Sequence, residues 1–328
     1  MFIMKRYLAT LCLATTCTIV LAQSRSELMS REKIQKNKIA SVSQWTHKFN
    51  KDKVDPKGYV TVVTNYDKNG NEVEIINYKQ NGSVSSRHTY KYDNQNRKIE
   101  YLQYQDYRQK GIELAFRQVF TYDKNGNKAS ELGFDGRTTY RIAYSYFPNG
   151  KQKEIIRYNA ANQVEEKWIY EHNGNNTKIS IFKPVGTLSK ITERKYDSAG
   201  NLLDEKNTSG DGKELARTVF TYNANNLPIS KSEYYAGELR ASYSYVYDGQ
   251  NQLVETYLIK PNNTRLLYSS YKYDGQGNIV EEKWYEDNAT DYSHRNYKLD
   301  SKGIVDEVDT YYSDYNFRVV YRYEYKFY

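Results

Sequence analysis

The side chains able to do chemistry are plentiful in this sequence, yet their spacing assembles none of the usual machinery. There are four histidines, His47, His88, His172 and His294. None stands in an H-x-x-x-H or similar metal-ligand spacing, and each reads as a turn or strand-surface residue. The carboxylate doublets Glu165-Glu166 and Glu281-Glu282 fall on β-type sequence, where neighbours point to opposite faces. Neither doublet is an acid/base pair, and a glycosidase pair would have to come from different strands. Asp67-x-Asn69-x-Asn71 and Asp123-x-Asn125-x-Asn127 begin like calcium loops. Their sixth and twelfth positions are Glu72 and Tyr78, then Lys128 and Phe134, where Gly and Glu are needed. We expect no catalytic residue, no metal and no cofactor. Cys12 and Cys17 are the two cysteines. Both precede residue 23, so thiolate and disulfide chemistry is not expected after it.

The polymer around these residues explains their number. The 328 residues carry 48 Lys+Arg against 40 Asp+Glu, a formal charge of +8, and the mean hydropathy is −0.90. Tyrosine occurs 36 times, and aromatics reach 15%. Disordered chains are poor in aromatics, so an ordered fold is expected. The scarcity of aliphatics argues against a large parallel-sheet enzyme. Basic and acidic residues are mixed rather than clustered, so nucleic acid is not an expected partner.

Residues 1–22 read as a secretory signal peptide. Lys5 and Arg6 form the positive start, Tyr7 to Leu21 the apolar stretch, and Val20-Leu21-Ala22 the cleavage site before Gln23. The apolar run is short for a membrane span and is interrupted by Thr10, Thr15, Thr16 and Thr18. Nothing later is long and apolar enough for a transmembrane helix, so the mature chain is expected to lack one.

Internal repetition decides the fold. Tyr66-Asp67-Lys68-Asn69-Gly70-Asn71 recurs as Tyr122 to Asn127, Tyr196 to Asn201 and Tyr273 to Asn278. Weaker copies start at Tyr92, Tyr146, Tyr170, Tyr222, Tyr247 and Leu299, giving ten units about 25 residues apart. Four residues after each start stand Gly70, Asn96, Gly126, Gly150, Gly174, Gly200, Asn226, Asn251, Gly277 and Gly303. These are the residues that best accept φ > 0. An Asp followed three residues later by such a residue predicts a type I turn closing on a left-handed residue, hence a hairpin with a bulge. Aromatics recur two residues before each start (Tyr90, Phe120, Tyr144, Trp168) and twelve after it (Tyr78, Tyr104, Phe134, Tyr158). Each unit therefore reads as strand, turn, strand, turn.

The expected fold is all-β. It is an extended antiparallel meander of about twenty strands over residues 59–328, twisted or coiled into a solenoid-like sheet. Tyrosine suits such a single layer, its ring packing cross-strand while its hydroxyl stays wet. Residues 23–58 form a lead-in. Ser24-Arg25-Ser26-Glu27 resembles a capping box opening a short helix. Ile39 to Asn50 reads as a strand with Ile39, Trp45, His47 and Phe49 on one face, and Asp55-Pro56-Lys57-Gly58 turns it into the repeats.

The Tyr-Asp-x-x-Gly-Asn units over residues 59–328 resemble the YD repeats of Rhs and teneurin-type proteins. That resemblance implies extended β-sheets spiralling into shells, associated with surface display, carbohydrate binding or enclosure of a C-terminal toxin. This chain is shorter than a closed Rhs shell, and its repeats persist almost to Tyr328, so enclosure of a toxin is not expected. Tyr146-Phe147-Pro148-Asn149-Gly150-Lys151 also resembles the MORN-variant repeats of YwqK-type proteins.

The leading functional expectation is an exported, non-catalytic repeat scaffold of the bacterial envelope or cell surface. It would lie in the periplasm, on the outer-membrane surface or outside the cell, binding a glycan or protein partner along its sheet. Trp168, Trp284 and Tyr285 are the candidate binding residues. The alternative is an outer-membrane β-barrel, favoured by the even strand count and the terminal run Tyr321 to Tyr328. An envelope glycan-acting enzyme is a third class. N-terminal sequencing of the exported protein should begin near Gln23; an intact Met1 in the mature pool would contradict the signal-peptide reading.

Overall fold

A computed structural model describes residues 29–50, 53–107, 111–183, 186–286 and 290–328. The expected signal peptide, residues 1–22, and the expected Ser24–Glu27 capping box lie outside these residues. The described residues begin with a short helix, α1 (Arg31–Lys36), and continue through 23 strands. These are β1 (Ile39–Asn50), β2 (Lys53–Val54), β3 (Tyr59–Tyr66), β4 (Glu72–Tyr78), β5 (Val84–Tyr92), β6 (Lys98–Gln105), β7 (Glu113–Tyr122), β8 (Lys128–Phe134), β9 (Thr139–Tyr146), β10 (Gln152–Tyr158), β11 (Val164–Asn173) and β12 (Asn176–Phe182). There follow β13 (Leu188–Tyr196), β14 (Leu202–Ser209), β15 (Glu214–Tyr222), β16 (Pro228–Tyr235), β17 (Glu238–Tyr247), β18 (Leu253–Ile259), β19 (Arg265–Tyr273), β20 (Ile279–Tyr285), β21 (Tyr292–Leu299), β22 (Val305–Tyr312) and β23 (Phe317–Phe327).

From β3 to β23 every strand pairs antiparallel with its sequence neighbours, as the repeat predicts. The overall form differs from the expectation. The sheet is not an open, solenoid-like meander but a closed barrel of 22 strands. The seam is β1, which pairs with β3 on one edge (Val42 opposite Thr64) and with β23 on the other (Val42 opposite Tyr325). Only β2 stands outside the ring, paired with the last two residues of β1. The physical reason is the edge problem: an open meander leaves two edges of unpaired N–H and C=O groups, and closure alone removes both. The strand that closes the ring carries no YD signature, which is why the repeat pattern did not reveal it.

The turns explain why the hairpins form where they do. In the first unit the Asp67 carboxylate accepts the N–H of Asn69 and of Asn71, both at 2.9 Å. The Gly70 N–H donates to the Asp67 carbonyl at 2.9 Å. The same pattern recurs at Asp93, Asp123, Asp197, Asp248, Asp274 and Asp300. All ten turn residues, from Gly70 to Gly303 and including Asn96, Asn226 and Asn251, have positive φ. Asx bonding of this kind is what Asp contributes to a turn.

Each of these hairpins also contains a bulge at the residue before the Asp, a tyrosine in all but the Asp300 turn, where it is Leu299; in the first, Asn65 faces Glu74 but Tyr66 faces Glu72. A bulge breaks the ladder locally. The next unit repairs it: the Tyr92 hydroxyl donates to the Glu72 carbonyl at 2.9 Å. Tyr122, Tyr146, Tyr222, Tyr247 and Tyr273 do the same to Lys98, Lys128, Leu202, Pro228 and Leu253 at 2.7–2.9 Å. The hydroxyl is therefore not simply wet; it is the bond between one unit and the next.

The strand period of two separates the faces. Tyr90, Tyr101, Phe116, Phe120, Tyr140, Tyr144, Trp168 and Tyr245 share one face with the buried Ser86, Thr192, Thr256, Ser269, Ser293 and Thr310. On the other face short residues such as Thr121 and Thr221 are exposed. Side chains converge inside a closed wall and diverge outside it, so the aromatic face is the inner one. The outer face carries cross-strand ion pairs, among them Lys91–Glu100 at 2.6 Å, Arg217–Asp204 at 2.7 Å and Lys298–Glu307 at 2.6 Å.

In β1 the expected shared face is corrected. Trp45, His47 and Phe49 alternate outward, but a bulge between Ile39 and Ser41 turns Ile39 into the cluster with Val42. Helix α1 sits in the same mouth as the YD turns, capped by Ser30, whose hydroxyl accepts the Lys33 N–H. Ile34, 1% exposed, packs on Ile39, Val42, Tyr66 and Ile304. The Lys33 ammonium donates to Asn278 Oδ1 at 2.7 Å and to the Gly303 carbonyl at 3.2 Å, and Arg31 Nε donates to the Asn69 carbonyl at 2.9 Å. The helix thus staples three turns beside the seam.

Two outcomes follow from the turns. Gly200 has open space where a Cβ would stand, so Gly200→Ala should cost only the left-handed penalty, about 1–2 kcal/mol. Gly70→Ala should cost more in the same urea titration, because its Cβ would press on the Arg31 backbone of α1. Equal losses would contradict the stapling role. The carboxyls of Asp93 and Asp197 are held below the usual range, first by the side-chain bonds from Arg97 and Asn201 and then by backbone N–H bonds. Their stabilisation is complete above the unfolded carboxyl pKa of about 3.9 and disappears as pH falls through the lower folded value. NMR titration should show both carboxyls titrating below that value; titration at or above it would contradict the turn geometry.

Candidate functional site

The inner wall holds carboxylates at the same place in three units, nine residues after the tyrosine: Glu131, Glu205 and Glu282. Glu131 is 2% exposed. Its Oε1 accepts from Gln118 Nε2 at 2.6 Å and the Tyr140 hydroxyl at 3.0 Å, its Oε2 from the Tyr144 hydroxyl at 3.3 Å, and Lys128 Nζ lies 3.7 Å away. Glu205 takes Arg194 Nε at 2.7 Å. Glu282 takes the Tyr297 hydroxyl at 3.0 Å and Arg295 at 3.4 Å. Burial pushes the Glu282 carboxyl upward, against the pull of Tyr297 and Arg295. A buried charge is retained when it is paired and hydrogen-bonded. These three carboxylates have their partners and tie neighbouring strands of the wall together. The sequence signal that locates them is register: position nine of a unit faces inward, and in the other seven units it is Ile75, Tyr101, Ile155, Ile179, Lys231, Thr256 and Val308.

The candidate binding residues occupy different places. Trp168 faces inward on β11, donates its Nε1–H to Glu166 Oε1 at 2.8 Å, and packs on the Tyr140, Ile142, Tyr144 and Ile155 cluster. Trp284 faces inward on β20, with the Arg295 guanidinium 4.9 Å over its ring. Tyr285 faces outward, its hydroxyl 3.1 Å from Ser270 Oγ and its ring centroid 5.5 Å from that of Tyr292. The fold does not bring the three onto one surface. Tyr285 instead opens an outer row of rings, Tyr285, Tyr292, His294 and Tyr311, with successive centroids 5.5, 6.0 and 5.6 Å apart.

An outer groove of about 580 Å³ crosses β11 to β15, where Lys178, Lys195, Lys206 and Arg217 alternate with Glu171 and Asp204. Lys178 lies 3.8 Å from Glu171 and Arg217 2.7 Å from Asp204. Its charges answer one another. Among the described residues no group of three or more His, Cys, Asp or Glu side chains could hold a metal ion, and Asp67 and Asp123 are engaged with their own turns.

No family model and no curated protein matches the sequence. Among solved structures, a porin-like protein from Bacteroides uniformis is similar at 10% identity over 88% of this chain and 97% of that one, with a TM-score of 0.33. TcdB2-TccC3 without its hypervariable C-terminal region is similar at 12% identity and a TM-score of 0.27; the match covers 82% of this chain but only 19% of that one. A porin-like protein from Bacteroides vulgatus is similar at 10% identity, 88% and 98% coverage, and a TM-score of 0.21. At these scores the class of the protein, a large closed antiparallel β-barrel, stands on its own strand pairing.

The inner carboxylate gives a direct expectation. Glu131→Ala strands the Gln118 amide and two tyrosine hydroxyls without their acceptor and should lower stability by about 2–4 kcal/mol. Tyr285→Ala, on the outer wall, should cost less than half as much in the same chemical denaturation series. The reverse order would contradict the assignment of faces.

Proposed function

We propose that the protein is an exported, non-catalytic β-barrel of the bacterial envelope that stands in water and binds a glycan or protein partner. The observation carrying this reading is the outer wall. Charged residues point outward in sector after sector: Glu74 with Arg87, Glu100 with Lys91 and Arg117, Glu154 with Lys167, Asp204 with Arg217, Glu281 with Lys272, and Glu307 with Lys298 and Arg322. A lipid-facing barrel needs an apolar outer band about 25 Å tall, and these pairs interrupt it. Water accommodates them at little cost. No helix among the described residues is long and apolar enough to cross a membrane, which says nothing of strands.

Closure itself favours a second reading, an outer-membrane barrel. A ring with an even number of antiparallel strands and no edge is the β-architecture a bilayer admits. It agrees better with this alternative than with an open scaffold that binds along its sheet. Fractionation separates the two. The water-immersed reading expects the protein in the soluble envelope fraction, or released from membranes by alkaline carbonate without detergent. Retention until detergent is added would overturn it and establish the membrane barrel.

A further inference from the structure

Six residues after the unit start, just inside the mouth that holds α1, a side chain pairs across from the start residue on the inner wall. In the last units it is apolar. Leu253 faces Tyr247, Ile279 faces Tyr273 and Val305 faces Leu299, and they are 2%, 0% and 3% exposed. Two early units put Lys98 opposite Tyr92 and Lys128 opposite Tyr122 instead. An apolar residue satisfies the wall at this place, and a half-buried charge is costly unless it is paired. Lys128 Nζ lies 4.5 Å over the Phe120 ring and 3.7 Å from Glu131. Lys98 Nζ lies 4.5 Å over the Tyr90 ring, and among the described residues no carboxylate stands within ion-pair distance of it. Burial holds the Lys98 ammonium below its usual range; Glu72 pulls it back up and Lys128 pushes it further down. Other inner carboxylates already have cations: Glu166 has Lys183 at 2.9 Å, and Glu205 has Arg194 at 2.7 Å. The charge left unanswered at this point of the wall is positive.

The two lysines belong to one continuous patch on β5 to β8. Tyr90 faces Tyr101 and stacks on it with centroids 5.1 Å apart, Tyr101 faces Gln118, and Phe120 follows on the same strand. These side chains are half-exposed, so solvent reaches them from inside the ring. A ring of 22 strands spaced about 4.8 Å apart has a circumference of about 105 Å, wider than its lining fills. We propose that this patch binds a polyanionic saccharide chain, Lys98 and Lys128 each holding an oxyanion group, carboxylate or sulfate, carried by the sugars. The proposal rests on the glycan reading above and narrows it to acidic chains bound inside the barrel. An ammonium held over a ring gives up part of its hydration and is ready to donate charge-assisted hydrogen bonds to an oxyanion. The lysines rise from strands about 10 Å apart, a separation that suits two charges on one chain better than one small ion. The half-exposed rings of Tyr90, Tyr101 and Phe120 offer the C–H face of a sugar an apolar floor.

The test titrates the mature protein at low salt, by calorimetry, with hexagalacturonate, its neutral methyl ester, a sulfated hexasaccharide, hexaglutamate and inorganic sulfate. An acidic hexasaccharide is expected to bind, and the tighter of the two identifies the oxyanion. The ester should bind at least about tenfold more weakly. Lys98→Leu should lower the affinity for the acidic chain about tenfold, and Lys98→Arg should retain most of it. The thermal melt of Lys98→Leu should stay level or rise, because Leu253 occupies the same place in a later unit. Lys128→Gln should weaken binding in the same direction. Equal binding of acid and ester, with Lys98→Leu unchanged, would overturn this proposal and leave the glycan reading standing. No binding by any saccharide would overturn both. Inorganic sulfate binding as tightly as the hexasaccharides would mean an adventitious ion only, and hexaglutamate binding as tightly would make the occupant an acidic peptide; either result would overturn the proposal.

Discussion

One bond recurs through the structure: a tyrosine hydroxyl donating to the carbonyl at the bulge of the preceding unit. The hairpin turn demands the bulge, the bulge breaks the ladder, and the hydroxyl of the next unit supplies the missing donor. A phenylalanine at that place would pack as well and leave the carbonyl unpaired. This is why the unit start is nearly always tyrosine, whereas two residues earlier Phe120, Trp168 and Phe220 replace it freely. Where Tyr170 begins a unit, His172 Nε2 lies 2.8 Å from the Gln152 carbonyl and takes over the contact.

Units linked in this way form a strip with two edges, and the strip becomes a protein only when β1 fills the seam. The seam is accordingly among the best-buried parts of the wall, with Val42, Gln44, Thr46 and His47 all buried. The last residue of the chain is held at the same place. The Tyr328 N–H donates to the Lys38 carbonyl at 3.0 Å, and its hydroxyl donates to the Tyr66 carbonyl. Helix α1 lies over this junction and ties it to the turns on either side. Stability is therefore shared between neighbour contacts around the ring and one long-range closure.

Much of this was legible in the sequence because its cause is local. The Asp-x-x-Gly turns, the positive-φ Asn positions and the strand-by-strand pairing all follow from residues within one unit. Closure was not legible. It depends on residues 39–50, which carry no repeat signature, meeting residues 317–327 at the far end of the chain. The inward direction of Trp168 and Trp284, and the outward direction of Tyr285, also depend on curvature, which periodicity does not encode. That Glu281 and Glu282 point to opposite faces was legible from strand alternation; which of the two faces inward was not. In the ring, parity turns Glu282 inward to Tyr297 while Glu281 turns outward to Lys272. The same parity sets charged pairs along the outer wall, from which the proposed reading as a water-immersed envelope barrel is drawn.

The central claim is that the sheet has no edge. Hydrogen–deuterium exchange of the mature protein tests this directly, because amides at an open edge exchange with solvent while those in a closed ladder do not. The closed ring predicts that peptides spanning 59–66 and 317–327 are protected as strongly as peptides from the middle of the array, such as 202–209. Rapid exchange confined to 59–66 and 317–327, with the middle strands protected, would show an open sheet and contradict it.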